Sequence, residues 1–337
     1  YTSKREDVRF TGSGGFYYDP TILLGNNQTI EYKGGSSLLN ALGRHGLYNR
    51  LSDIGSVNSP LKIGVINASR NSFDIAQETL QKQLASLGFA RTNLTLVTAG
   101  GVSRIDFERA IHQLEAENPH IIVAVIPNSD SSDEDEWGPY YDFKSLMMSA
   151  GIPSQVLDEK TITNIKGLPF VMQNVAFGML AKMGNVPYVL ANPMDYADIV
   201  LGIDIARKRN KSGMGSQNAA AIAQVYHKGG QFVQCRVVET PLEGETVPEK
   251  VLRSLFPLNE FQGKPVIIHR DGLFRGDEIS IIQDHINKLK GEAFFVEVIK
   301  SGAPRLYLSN KGQVQAPEIG TAFLLSDTEA FLIASES

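Results

Sequence analysis

The chain has 337 residues, of which 42% are hydrophobic and 20% charged, a composition typical of a globular protein long enough for two domains. No apolar run approaches the length of about 18 residues that a membrane span needs, and the first residues show no signal-peptide core, so we expect a cytoplasmic protein without membrane contact. The single cysteine excludes an internal disulfide and a cysteine-rich zinc site, and the net charge of −5 means that nucleic-acid binding would depend on local basic pockets.

The first 60 residues contain glycine-rich turns such as GSGG and KGGSS, and we expect an irregular linker with short strands over residues 1–60. Order begins at Leu61 with LKIGVI, a β-branched run typical of a buried strand. A helix should follow, with Asn71 or Ser72 as its N-cap and Gly88 at its end. Its apolar stripe is predicted to contain Ile75, Leu80, Leu84 and Leu87.

Strands and helices then alternate. Strand-like runs at 94–100 and 120–127 flank a helix pattern at 105–114, which predicts a parallel α/β sheet of the Rossmann-like type. The acidic stretch 129–138 has the charge density of a solvated loop. A helix at 140–148, a strand around Gln155 and a helix at 169–182 complete this unit, which we assign to residues 61–192.

A different pattern begins at residue 198. Three strand-like runs separated by turn signals predict an antiparallel meander, and Cys235 in the third run is expected to be a small buried hydrophobic residue. A helix at 247–256, a strand at 265–272, a helix at 279–289 and a strand at 293–300 follow. This is the element order of the RNase H fold, which we assign to residues 193–337.

Two carboxylates stand out in this second unit. Asp204 lies within the apolar strand VLGIDIAR, where an ionised side chain is costly unless it is paired or binds a metal, and Asp271 ends the strand VIIHRDG. The two strands are neighbours in the RNase H order, so the carboxylates should converge and bind Mg²⁺ or Mn²⁺. The alternative is structural: Asp271 caps a turn, and Asp204 pairs with Arg207 or His269.

A third carboxylate would come from the segment ETPLEGETVPEK. Glu245 precedes the predicted helix in a Gly-Glu loop, and the other candidates are Glu239, Glu243 and Glu249. The basic run RKRNK at 207–211 follows the Asp204 strand. It is interpreted as a solvated hairpin tip, with contact to a phosphate backbone as the alternative.

Polar residues of the first unit form a second pattern. Tyr140 and Lys144 are four residues apart and share a helix face. Asn174, Gly178 and Lys182 repeat the same spacing on the later helix, which places an amide, a gap and a cation in one line. Two lysines with Gln155 and Asn174 can enclose a terminal phosphate, and Tyr140 can stack on its base, although each residue alone is ordinary.

Taken in order, these motifs resemble the MID and PIWI domains of prokaryotic Argonautes, from about Leu61 to the C-terminus. The resemblance implies that Tyr140 stacks on the first guide base and that a pocket holds the guide 5′ phosphate. It also implies three of four catalytic carboxylates in an endonuclease that uses Mg²⁺ or Mn²⁺. The pocket would consist of Lys144, Gln155, Asn174 and Lys182, and the three carboxylates would be Asp204, Glu245 and Asp271, with Glu239 as the alternative to Glu245.

Two departures from that family leave the activity open. The fourth catalytic residue would lie beyond the last residues of this sequence, and Asp327 is not placed to replace it. No PAZ or N domain is recognisable before Leu61, so we expect a fragment or a second polypeptide that supplies missing domains. The competing hypotheses are a catalytically inactive guide-dependent binding module that acts with a partner and, from the first unit alone, a small-molecule sensor. The residues do not distinguish DNA from RNA for guide or target.

Overall fold

A computed structural model of the chain describes residues 15–17, 20–32, 35–51, 54–127, 138–209, 216–242, 246–256, 261–300, 307–310 and 312–334. Contacts divide the chain into two compact units, Thr21–Val189 and Leu190–Ser337, and the second unit includes Tyr1–Pro20. Within the described ranges, no helix is both long enough and apolar enough to cross a lipid bilayer.

Secondary structure is numbered in chain order. The strands are β1 (Gly15–Tyr17), β2 (Thr21–Leu23), β3 (Thr29–Glu31), β4 (Leu61–Asn67), β5 (Thr92–Thr98), β6 (Ile121–Ile126), β7 (Ser154–Asp158), β8 (Val189–Leu190), β9 (Ile199–Arg209), β10 (Ser216–His227), β11 (Phe232–Leu242), β12 (Pro265–Asp271), β13 (Glu292–Val298), β14 (Leu308–Asn310), β15 (Gln313–Gln315), β16 (Thr321–Leu324) and β17 (Ala330–Leu332). The helices are α1 (Gly35–His45), α2 (Asp74–Ser86), α3 (Arg104–Glu115), α4 (Pro139–Ala150), α5 (Glu159–Thr163), α6 (Leu168–Lys182), α7 (Glu249–Leu255) and α8 (Glu278–Lys288).

The core of the first unit is a parallel sheet in the order β5-β4-β6-β7. Every residue of β6 is buried, because helices cover both faces of the sheet. One face packs with α1, α2 and α6, and the other packs with α3 and α4. This layered arrangement confirms the predicted Rossmann-like α/β class.

Helix α2 corrects one detail of the predicted stripe. Leu80 and Leu84 are fully buried, and Leu87 is buried just beyond the helix, but Ile75 is 53% exposed. Ala76 occupies the buried position instead. Ala76, Leu80 and Leu84 are four residues apart and share the buried face, so Ile75 points away from it to solvent.

The segment before Leu61 has more structure than an irregular linker. Helix α1 contributes Leu38, Leu39 and Leu42 to the same hydrophobic cluster as β4. Two basic residues, Arg44 and His45, occupy its last turn, where they complement the helix dipole. Residues from Thr21 onward therefore pack as part of the first unit, and β2 and β3 add a small antiparallel pair.

The second unit contains a five-stranded sheet in the order β11-β10-β9-β12-β13. Strands β9, β10 and β11 form an antiparallel meander, and β12 pairs in parallel with both β9 and β13. Helices α7 and α8 bury their apolar sides against one sheet face. The predicted RNase H element order is confirmed.

Three predictions on smaller features have different outcomes. Cys235 is exposed on β11, an edge strand, so the expectation of a buried cysteine is wrong. The acidic loop lies almost entirely within 128–137, outside the described residues. The basic run begins in β9, because Arg209 pairs with Ser216, and its last two residues lie outside the described ranges.

Candidate functional site

Two lysines and a strand end come together in the first unit. Helix α4 begins at Pro139, a residue suited to the first turn, and carries Lys144 on its second turn. Helix α6 carries Lys182 as its last residue. Strand β7 begins between them with Ser154 and Gln155. The cluster thus depends on three elements, with Lys144 10 residues before Ser154 and Lys182 28 residues after it in the sequence.

The lysine ammonium groups converge on one carbonyl oxygen. Lys144 Nζ donates to the Ser154 carbonyl at 2.8 Å and to Ser154 Oγ at 3.0 Å, and Lys182 Nζ donates to the same carbonyl at 3.0 Å. Lys182 Nζ also donates to Gln155 Oε1 at 2.6 Å. We call Lys144, Ser154, Gln155 and Lys182 the lysine cluster.

Burial makes both lysines of the cluster easier to deprotonate. Burial, with a smaller contribution from the charge of Lys182, lowers the pKa of Lys144 to about 8, and burial also lowers the pKa of Lys182. Two partly desolvated cations that share neutral oxygen acceptors lack a counter-charge from the groups they contact. An anion with several acceptor oxygens, such as a phosphate monoester, would supply it.

Three of the five predicted pocket residues, Lys144, Gln155 and Lys182, lie in the lysine cluster. The other two, Tyr140 and Asn174, lie on the same helices as the two lysines. Tyr140 lies one helical turn before Lys144, 46% exposed, with its ring against Tyr141. Asn174 is exposed, and its amide donates to the Phe170 carbonyl at 3.3 Å within its own helix. Among the described contacts, none links Asn174 to the lysines.

Gly178 lies in α6 one turn before Lys182. A Cβ atom at this position would lie 3.8 Å from Gln155 Oε1, an ordinary van der Waals distance. The glycine therefore leaves a small space beside the cluster that a methyl group would fill without displacing its neighbours.

Sequence reasoning missed Ser154. Its backbone oxygen accepts from both lysines and the residue is 8% exposed, but a carbonyl has no sequence signature. Only its position immediately before Gln155, at the start of the predicted strand, could have indicated it.

The second unit brings Asp204 and Asp271 to neighbouring positions. The parallel register of β9 and β12 pairs Ile203 with Arg270, and each aspartate is the next residue on its strand. Ile203 and Arg270 are buried in the core, so the alternation of side chains turns both aspartates to the opposite sheet face. Asp204 Oδ1 accepts the Ile205 amide at 2.7 Å.

Lys300 forms an ion pair with one of the two carboxylates. Its Nζ donates to Asp271 Oδ2 at 2.7 Å, and the side chain of Asp271 is 34% exposed. The hydrogen bond to Asp271 raises the pKa of Lys300, with further contributions from the charges of Asp271 and Asp204. Both carboxylates therefore favour the charged form of Lys300, Asp204 through its charge alone. Carboxylate oxygens are the donor type that Mg²⁺ and Mn²⁺ prefer.

The third carboxylate is not located. Glu245 and Glu243 lie outside the described residues, and the described residues alone contain no cluster of three or more acidic, histidine or cysteine ligands. The backbone of Glu239 pairs with Ala220 on β10, so a full strand separates it from β9. Strand order thus separates Glu239 from Asp204, and the assignment of Glu245 stays a prediction.

Comparison with known families gives one match that covers most of the chain. A model of the Piwi domain matches residues 121–333. The protein Argonaute of Aquifex aeolicus strain VF5 is 34% identical over 177 residues, which cover 51% of this chain and 24% of that protein.

Solved structures share the fold at lower identity. The crystal structure of Aa-Ago with externally bound siRNA has a TM-score of 0.68 and 22% identity, and the match covers 93% of this chain and 44% of that one. The Argonaute of Methanocaldcoccus janaschii in complex with guide DNA has a TM-score of 0.60 and 14% identity, covering 95% and 45%. This chain therefore spans less than half the length of these relatives.

Proposed function

Given that the chain belongs to the Piwi domain family, we propose that it binds a guide strand by its 5′ phosphate and directs it to a complementary target. The convergence of Lys144 and Lys182 on the Ser154 carbonyl carries this proposal, because it creates a partly desolvated cationic pocket in a chain whose net charge is −5. Relatives of the same fold that were solved with siRNA and with guide DNA support it.

Each residue of the pocket has a defined task in this proposal. Lys144 and Lys182 donate to the phosphate oxygens in place of part of their contacts with Ser154, and Gln155 orients Lys182. Tyr140, exposed on the same helix face as Lys144, stacks on the first base. Asn174 closes the pocket from α6 once a strand is bound, which requires it to release the Phe170 carbonyl.

The carboxylate site adds cleavage to guide-dependent binding. Asp204 and Asp271 would hold Mg²⁺ or Mn²⁺, and Glu245 would be the third ligand. The ion would supply Lewis-acid activation of the scissile phosphodiester and of the attacking water. The pairing of β9 with β12 fixes the two carboxylates on adjacent strands. Lys300 would leave Asp271 when a metal ion binds.

A second candidate function is guide-dependent target binding without cleavage, in cooperation with a partner polypeptide. The ion pair between Lys300 and Asp271 favours it, because an ammonium group already neutralises one of the two carboxylates. The two functions share the lysine cluster and differ only at the acidic site.

Binding of 5′-phosphorylated and 5′-hydroxyl strands tests the pocket. Replacing Lys144 by methionine removes a charge-assisted contact, so affinity for the phosphorylated strand should fall about 10- to 100-fold while affinity for the hydroxyl strand changes little. The exposed Lys82, which pairs with Glu78 in its own helix, provides the control K82M. Equal affinity for both strands in the parent protein would refute the pocket.

Cleavage is tested with a 5′-phosphorylated guide, a labelled target and Mn²⁺. Asp271→Ala should abolish products and leave guide affinity unchanged. Products that persist in this variant would remove Asp271 from the site, whereas guide-dependent target binding without products in the parent would select the second function.

A further inference from the structure

The lysine cluster lies on an open edge of the parallel sheet. Strand β7 is the last strand in the order β5-β4-β6-β7. The Ile122 amide donates to the Pro153 carbonyl at 3.0 Å, and in parallel pairing the next carbonyl along the strand, that of Ser154, points away from β6. Both lysines donate to this outward carbonyl, so they satisfy an acceptor that strand pairing does not use.

The need to satisfy the sheet edge does not explain every contact of Lys144. Its Nζ also donates to Ser154 Oγ at 3.0 Å, a bond between two side chains that no backbone group requires. The second acceptor of Lys182 is instead Gln155 Oε1. In the described contacts the Ser154 hydroxyl therefore acts on one lysine of the cluster, and Gln155 acts on the other.

The two ammonium groups retain donors for a phosphate. A lysine ammonium group has three N–H donors, and in the described contacts each lysine of the cluster uses two of them. A terminal phosphate offers three acceptor oxygens. Because the ammonium group is tetrahedral, two fixed N–H bonds determine the direction of the third. The two bonds to Ser154 thus decide where the remaining donor of Lys144 points.

The position of Ser154 suits it to hold another side chain in a fixed orientation. The residue is 8% exposed, and its backbone is in register with Ile122 of the buried strand β6. Burial limits competition from water for the hydroxyl, and strand pairing fixes the backbone that carries it. The hydroxyl is therefore a more rigid acceptor for Lys144 than a solvent molecule or an exposed side chain.

We propose that Ser154 is a positioning residue of the phosphate pocket, whose hydroxyl directs Lys144 toward the guide 5′ phosphate. The hydroxyl contact is the part of the Ser154 contacts that persists when a guide is bound. The inference rests on the proposed function of the lysine cluster. It assigns the Ser154 side chain no contact with the phosphate itself.

Three variants of the full chain isolate the hydroxyl. Ser154→Ala removes it and leaves the carbonyl, whereas Ser154→Thr retains a hydroxyl at the same position of the strand. Ser149→Ala is the matched control, because Ser149 lies on α4 and its exposed hydroxyl donates to the Ser145 carbonyl of the same helix at 3.0 Å. Thermal unfolding of each variant measures whether it is folded.

Affinity for 5′-phosphorylated and 5′-hydroxyl strands is measured by fluorescence anisotropy at pH 7. Ser154→Ala should bind the phosphorylated strand about 5- to 10-fold more weakly, the effect of losing about one hydrogen bond, and should bind the hydroxyl strand with little change. Ser154→Thr should recover most of the lost affinity. Ser149→Ala should bind both strands as the parent does.

A double-mutant cycle with Lys144→Met separates positioning from direct contact with the phosphate. If Ser154 acts through Lys144, adding Ser154→Ala to Lys144→Met should weaken binding less than about twofold, because the lysine that it positions is absent. A hydroxyl that bonds to the phosphate directly would cost the same about 5- to 10-fold in both backgrounds. That second result would overturn the positioning role.

The pH profile separates positioning from a change in packing. Burial and then the charge of Lys182 lower the pKa of Lys144, and Ser154→Ala leaves both lysines in place. Loss of an acceptor of the ammonium group lowers that pKa further, so the affinity of Ser154→Ala should begin to fall at a lower pH than that of the parent. A constant ratio of the two affinities between about pH 7 and 9 would indicate a packing effect and contradict the inference.

The outcomes separate this inference from the function on which it rests. If the parent binds both strands equally, the phosphate pocket is refuted, and the inference is refuted with it. If the parent prefers the phosphorylated strand and Ser154→Ala keeps the same preference, only the positioning role is refuted. Should Ser154→Ala fail to fold, Ser154→Cys replaces the hydroxyl by a thiol, a weak acceptor, and an unchanged preference in that variant refutes the role.

Discussion

Guide affinity should depend on pH because Lys144 titrates close to neutrality. Its pKa of about 8 leaves the ammonium group charged at pH 7 and neutral at pH 9. A guide phosphate has its second pKa at about 6 and so keeps a constant charge over that range. If binding requires charged Lys144, the dissociation constant has its lowest value when Lys144 is fully charged. It is about 1.1 times that value at pH 7 and about 11 times that value at pH 9, so guide affinity falls about tenfold between pH 7 and pH 9.

Fluorescence anisotropy with a labelled 5′-phosphorylated strand at pH 7, 8 and 9 measures this loss. Lys144→Arg provides the matched control, because a guanidinium group stays charged throughout and should flatten the profile. A flat profile in the parent, or the same slope in the arginine variant, would refute the role of Lys144.

The lowered pKa of Lys144 has the opposite effect on folding, because without a guide the free energy of unfolding rises with pH rather than falling. The unfolded chain retains the lysine proton up to its ordinary pKa of 10.5, whereas the folded chain loses it near 8. Between these values the unfolded state binds more protons, so the contribution of Lys144 to the free energy of unfolding rises with pH.

Three further predictions concern helix packing and the acidic site. Gly178→Ala should stabilise the protein by up to about 1 kcal/mol in chemical denaturation, because it replaces a helix-interior glycine and, among the described residues, brings the added methyl group no nearer than 3.8 Å to Gln155 Oε1. Destabilisation would contradict the presence of this space beside Gly178. Leu80→Ala should cost about 2–5 kcal/mol in urea unfolding, and Ile75→Ala, on the same helix but 53% exposed, less than about 0.5 kcal/mol; equal costs would contradict the placement of α2. Lys300→Met should raise Mn²⁺ affinity up to about fivefold by calorimetric titration, because it removes a cation that competes for Asp271 in an exposed ion pair, and weaker Mn²⁺ binding would show that Lys300 assists the metal.

The regular parts of the fold were predictable from short-range patterns. Runs of β-branched residues marked β4 and β6, and helical spacing marked α3 and α8, because burial of a sheet or helix face imposes a period on the sequence. Helix α1 was missed because glycine and serine at its start resemble a loop. The signal was present in Leu38, Leu39 and Leu42 at helical spacing.

The candidate sites, too, were predictable from the sequence only in part. The i,i+4 spacing grouped Lys144 with Tyr140 on one helix and Lys182 with Asn174 on another, since a helix repeats its face every turn. That the two lysines share one pocket was implied by the family resemblance. The contacts of Ser154 depend on where β7 begins, and Asn174 points to its own helix, which spacing does not determine. The buried ion pair between Arg270 and Glu278 was not predicted, because ionisable residues are ordinarily exposed and only the tertiary structure shows these two buried.

Nucleic acid that co-purifies with the protein tests guide binding most directly. Sequencing libraries that require a 5′ phosphate, prepared from the parent protein and from K144M/K182M, should recover short strands from the parent and few from the variant. Treatment with phosphatase before library preparation should remove the signal. Equal recovery from both proteins, or strands without a 5′ phosphate, would contradict the assignment of the lysine cluster to a guide terminus.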